Sequence, residues 1–198
     1  MKLIGITGPT GAGKTTALNV LAEFGGHIID CDAVYHALLA SSDELRRELT
    51  DRFGAIFRPD GGLDRQKLGN LVFQDEEALA DLNRITHRYV NDEVNRQIQA
   101  AEAEGRPAVA VDAIALLEGG LGDRCDVTVG IVAPVETRVR RIMDREGISE
   151  EYARTRINAQ KPEQYYRDNC TYTLDNDSTQ EAFAQKARKL FDQILQNE

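Results

Sequence analysis

At 198 residues, 41% apolar and 29% charged, the chain is long enough to bury a sizeable core, and its composition is that of neither a disordered nor a membrane protein. Its net charge of -9 argues against general attachment to nucleic-acid backbones, which needs clustered Lys and Arg, so any basic residues for phosphate work must be local. Cys31, Cys125 and Cys170, odd in number and far apart, fit neither a disulfide framework nor a zinc pattern. No apolar run approaches the roughly 20 residues of a spanning helix. Only Met1 precedes the first apolar run, so the expectation is a cytoplasmic protein with no membrane or nucleic-acid partner.

In chain order, "KLIGIT" is a short β-branched strand that runs into "GPTGAGKT", Gly8 to Thr15, and "KTTALNVLAEFG" has helical spacing and stops at Gly25 and Gly26. "HIID", Pro107 to Asp112 and Asp126 to Val132 are further Val- and Ile-rich runs of the kind buried on both faces of a parallel sheet, and Tyr172 to Leu174 is a weaker fifth. Helical patterns separate them. The class is α/β, with a central parallel sheet of about five strands in a three-layer P-loop NTPase fold.

Two insertions interrupt the alternation. Residues 33–104 are almost wholly helical in pattern, with a turn at "RPDGG" and a helix start at Asp64. Residues 135–168 carry Arg138, Arg140, Arg141, Arg145, Arg154, Arg156 and Arg167 in an otherwise acidic chain. Such a run reads either as a solvated helix face or as a lid over a nucleotide. The expected organisation is a nucleotide-binding core from 1–32, 105–134 and 169–198, a helical substrate lobe at 33–104 and a lid at 135–168.

The chemistry starts at the loop. In G-x-x-x-x-G-K-[ST] the glycines let backbone N–H groups turn inward around a phosphate, and the helix N-terminus behind them adds its positive end. Gly8, Gly13, Lys14 and Thr15 supply every element of that pattern, with Lys14 on the β- and γ-phosphates and the Thr15 hydroxyl on Mg²⁺. Asp30-Cys31-Asp32 ends the second strand, where parallel sheets present residues to a ligand crevice. One aspartate there can take a proton from an attacking hydroxyl while the other orients it or helps place Mg²⁺; alternatively Asp32 caps a helix starting at Ala33. Asp112, at the end of "VAVD", is either a water-mediated metal contact or a turn residue. Position alone decides neither case.

Together with "IIDCDAVYHALL", the loop resembles the dephospho-coenzyme A kinase family. "DGGLDRQKLGNLVF", His87 after a helix, "DAIALLEGG", "RVRRIMDREGISEE", "INAQ" and "LDND" match it in order over nearly the whole chain. The resemblance implies ATP and dephospho-CoA as substrates, Mg²⁺ as cofactor and phosphorylation of the ribose 3′-hydroxyl. It wraps the ATP phosphates in Gly11, Ala12, Gly13, Lys14, Thr15 and Thr16, and makes Asp32 the general base supported by Asp30, Arg141 and Arg145 lid arginines acting with Lys14 on the transferring phosphoryl group, and Arg65 and His87 acceptor contacts. The chain departs from the family where His87-Arg88 replaces His-Pro, which would set the turn after that helix differently. It also has Ile114 at a proline position, Arg138 for the Gln before the lid arginines, and "CTY" for "ADY". His36 reads as an ordinary helix residue, Tyr165 and Tyr166 as adenine stackers or hinge packing, and Glu118 as an acceptor contact or a turn residue. The remaining functional alternatives are another small-molecule P-loop kinase and a nucleotide switch protein.

Overall fold

The computed structural model describes residues 1–196. In order they form β1 (Lys2–Thr7), α1 (Lys14–Glu23), β2 (His27–Asp30), α2 (Cys31–Ser41), α3 (Asp43–Phe53), α4 (Arg65–Val72), α5 (Glu76–Ala103), β3 (Ala108–Asp112), β4 (Val127–Val132), α6 (Val135–Glu146), α7 (Glu150–Asn158), α8 (Glu163–Asn169), β5 (Tyr172–Asp175) and α9 (Gln180–Gln196). The strands make one all-parallel sheet in the order β2-β3-β1-β4-β5, so the expected five-stranded α/β architecture is found. β1 lies between β3 and β4, and its last four residues are buried, which is why it reads as an unbroken apolar run. β5 is an edge strand with one buried residue, Leu174, which explains its weak signal.

By compactness the chain divides into two units, Asp30–Ala100 and the remainder. The larger unit packs Ile4, Ile6, Ala110 and Ile131 of the sheet against Leu21 of α1 and Phe183 and Phe191 of α9. Within it, α6 and α7 share a small apolar core of their own, Val139, Ile142, Ala153 and Ile157. The smaller unit gathers Leu45, Leu49, Phe53, Ile56, Leu68 and Ile85 from α3 to α5. Its "RPDGG" turn is closed by a bridge between Phe57 and Leu63, and Asp64 caps α4 by accepting from the Lys67 N–H at 2.9 Å.

Two local expectations need correction. α2 begins at Cys31 rather than Ala33, and its cap is Asp30, whose Oδ1 accepts from the Ala33 N–H at 3.0 Å. An extended residue with a short carboxylate directly before the first helical residue makes the better cap, so Asp32 falls in the first turn with its carboxylate exposed. His87 does not close a helix either: α5 runs for 28 residues straight through it. Arg88 keeps the N–H that proline lacks and fits beside the preceding turn, so nothing breaks the ladder. Its guanidinium pairs with Glu48 of α3 at 2.5 Å, and the Tyr89 hydroxyl donates to the same carboxylate at 3.1 Å.

Asp30→Ala is expected to lower stability by about 1 kcal/mol through the lost cap, whereas Asp32→Asn stays within about 0.5 kcal/mol of the parent. Urea unfolding of the two variants side by side measures the difference.

Candidate active site

The loop between β1 and α1 turns at three glycines with positive φ, Gly8 (143°), Gly11 (80°) and Gly13 (103°). At two of them a side chain has no room. A Cβ on Gly8 would lie 2.2 Å from the Ile131 carbonyl oxygen, and one on Gly13 would lie 2.2 Å from the Asn176 side-chain nitrogen. Gly13 caps α1 without a side chain, and no acidic residue stands in the first turn. The helix therefore offers bare N–H groups and an uncompensated positive end, the arrangement that holds a phosphate.

On its outer side, side chains from other elements take up the loop's carbonyls. Arg138 of α6 donates from Nε to Thr10 O at 2.9 Å, and Arg141 donates from Nη1 to Gly11 O at 3.2 Å and Ala12 O at 3.4 Å. Buried Asn176, which follows β5, donates from Nδ2 to Ala12 O at 2.8 Å and accepts from Arg141 Nη2 at 3.1 Å. Burial lowers the pKa of both arginines from the usual value.

Inside the loop is a cavity of about 390 Å³ lined by Lys14, Thr15, Asp112, Arg141, Arg145 and Arg156 together with Pro9, Thr10, Gly11, Gly13 and Ile114. Four cations and one carboxylate concentrate positive charge here in a chain of net charge -9. Lys14 Nζ lies 3.4 Å from Gly8 O and 3.8 Å from Asp112 Oδ1, with Asp112 largely shielded at the end of β3. An exposed Thr15 hydroxyl and this carboxylate in one cavity give a hard cation oxygen ligands beside a triphosphate, so the residues present fit Mg²⁺.

The arginine run separates by role. Arg138 and Arg141 hold the loop, while Arg145 and Arg156 line the cavity and share the Glu146 carboxylate, Arg145 at 2.6 Å. Those two guanidiniums hold the Glu146 carboxyl below its usual pKa, Arg145 most. Arg154 pairs with Glu136 and Glu150, Arg167 pairs with Glu163 and Asp175, and Arg140 is exposed. Tyr166 is buried against Tyr165 edge-on at 5.5 Å, the packing alternative for this pair. Glu118 acts on both tyrosines: burial raises their hydroxyl pKa values first and the carboxylate adds to it.

In the smaller unit, Asp32 and His36 are one turn apart on α2 and so share a face. Arg65, the first residue of α4, places Nη2 3.4 Å from His36 Nε2, and Tyr35 stacks obliquely on His36 at 5.7 Å between ring centres. Burial raises the Tyr35 hydroxyl pKa and Arg65 partly offsets it. His87 is exposed on α5, and among the described residues no hydrogen bond or ring contact joins it to this group.

The dephospho-CoA kinase family model matches residues 2–182. The chain belongs to the dephospho-CoA kinase family. It is 36% identical over 196 residues to the dephospho-CoA kinase of Corynebacterium glutamicum, covering 98% of both chains. A Thermus thermophilus protein of known structure is 32% identical, with a TM-score of 0.81 and coverage of 98% of this chain and 97% of that one. The dephospho-CoA kinase from Campylobacter jejuni has the same fold, at a TM-score of 0.70 and 23% identity over 97% of this chain and 96% of that one.

Ile114 is 46% exposed and lines the cavity, and its carbonyl accepts from the buried Thr7 hydroxyl at 3.2 Å. Sequence reasoning passed over Asn176, Gln160 and the Glu146 link to Arg156. "LDND" and "INAQ" marked the first two only as family matches, and no local spacing ties position 176 to position 12. His36, an ordinary helix residue by sequence, lies beside Arg65.

Asn176→Ala takes from Ala12 O its shorter hydrogen bond, leaving it Arg141 Nη1 at 3.4 Å, and removes the acceptor of Arg141 Nη2. The expected loss is about 2 kcal/mol, or roughly 4–8 °C in melting temperature, with weaker ADP binding. Thermal unfolding with and without ADP measures both.

Proposed function

We propose that the protein transfers the γ-phosphoryl group of ATP to the ribose 3′-hydroxyl of dephospho-CoA, giving coenzyme A and ADP in the last step of coenzyme A synthesis, in the cytoplasm. The observation that carries this reading is the cavity in which the phosphate loop, Lys14, Arg145 and Arg156 converge, in a chain of this family.

Loop N–H groups and the α1 N-terminus hold the phosphates, and Lys14 reaches the β- and γ-oxygens. Thr15 and Asp112, the latter through water, would hold Mg²⁺, which when bound offsets charge on the phosphate oxygens. Asp32 takes the proton from the attacking hydroxyl as the new P–O bond forms and the bond to the ADP oxygen breaks. Asp30 supports it by fixing the first turn of α2. Arg141 and Arg145 lie in the segment read as a lid, with Arg145 supplied to the transferring phosphoryl group and Arg141 acting through the loop backbone it holds. Arg65, next to His36, and His87 hold the acceptor in the helical lobe. Most of the acceleration comes from positioning and fixed charge, as is general for phosphoryl transfer.

In a chromatographic assay with Mg²⁺-ATP and dephospho-CoA, the parent is expected to form coenzyme A. Asp32→Asn should lose about 10²- to 10⁴-fold in kcat while ATP affinity is kept. Absence of coenzyme A with ATP still bound overturns the acceptor. An undiminished Asp32→Asn overturns the base, and ATP hydrolysis as fast without acceptor as transfer is with it overturns the kinase reading.

A further inference from the structure

Arg138 is 4% exposed, yet the transfer chemistry has no use for it. A guanidinium buried to that extent persists only when its donors are matched. Two of them are. Nε donates to Thr10 O at 2.9 Å, and Nη2 donates to Gln160 Oε1 at 2.8 Å. That same Oε1 accepts from the Thr10 N–H at 3.0 Å, and Gln160 Nε2 donates to Thr10 Oγ1 at 3.0 Å.

All three polar groups of Thr10 are thus held in a closed ring with two side chains from outside the loop. One comes from α6, and the other lies two residues beyond α7 and four beyond Arg156. The loop pattern leaves position 10 open to any residue, so phosphate binding alone does not demand this ring. The backbone of Arg138 also closes on the loop: a Cβ on Gly11 would lie 3.0 Å from its carbonyl oxygen.

We propose that Arg138 and Gln160 are positioning residues that strap the phosphate loop at Thr10 to α6 and the end of α7, so that the loop's phosphate-binding shape and the placement of Arg156 form together. Neither side chain touches the reacting atoms. Arg138 closes the loop from its carbonyl side, which keeps the N–H groups directed into the cavity. Gln160 fixes the chain just after the helix that carries Arg156. Because the two arrangements share one set of hydrogen bonds, nucleotide binding and ordering of α7 are linked, and linkage is reciprocal. The proposal rests on the loop binding a nucleotide and is independent of the acceptor.

The test uses Arg138→Leu, Gln160→Leu and the double variant of the full chain. Calorimetry gives ATP affinity without acceptor, and hydrogen exchange follows the amides of 10–16 and 150–160 with and without ATP. Each single variant is expected to weaken ATP by about tenfold and speed loop exchange, with the double no worse than the weaker single, because both act through Thr10. ATP should protect the α7 amides in the parent and fail to do so in the variants. Arg138→Gln, which keeps a donor for Thr10 O, should recover most of the affinity lost in Arg138→Leu.

A fall in melting temperature with ATP affinity, loop exchange and α7 protection unchanged would make the ring structural only and overturn the proposal. Fully additive losses would overturn the shared path. If a leucine variant does not fold, Thr10→Val, which removes only the hydroxyl, carries the same comparison with a smaller expected loss. Failure to make coenzyme A would leave these binding and exchange results standing, so the two readings fail separately.

Discussion

The structure depends on how one stretch of backbone is oriented. For the loop after β1 to turn its N–H groups toward a phosphate, its carbonyls must face the other way, and buried carbonyls need donors. Three side chains from two segments distant in sequence provide them. Arg138 and Arg141 come from α6, and Asn176 follows β5. Glycine handles the rest of the problem, since a Cβ at Gly8 or Gly13 would overlap neighbouring atoms. The anion site has its donors on one side of the backbone and its support on the other.

That division explains the distribution of charge. A chain of net charge -9 keeps four cations around one cavity, where contact with loop carbonyls and Glu146 helps fix where they sit. Arginine suits both duties: its fork serves two loop carbonyls and an amide at once in Arg141, and Arg145 and Arg156 share a carboxylate that an incoming phosphate can replace. Free of the loop, those last two guanidiniums line the cavity.

The helical unit makes a complementary use of short carboxylates. Asp30 commits its side chain to the helix cap and Asp32 leaves its own exposed, a difference set by their places relative to the first helical N–H. His36 then follows one turn later with Arg65 against it, a polar group on the same helix face as Asp32. Continuity of α5 through His87 and Arg88, with Arg88 tied to Glu48, gives this unit one long rigid helix where a proline would have broken it.

What the sequence determined by itself is local or periodic. The β-branched runs set the sheet, glycine spacing set the phosphate loop, and Asp64 marked a helix start, because each depends on neighbours a few residues away. Motif order along the chain identified the family. Tertiary structure decided which aspartate caps α2 and which of seven arginines hold the loop, line the cavity or stay at the surface. The arginines that hold the loop do so through contacts between residues more than a hundred positions apart, such as Arg138 with Thr10, and the cap follows from where the backbone turns helical, which leaves the Ala33 N–H to Asp30. No periodicity in a one-dimensional chain records where a long side chain will find its acceptor.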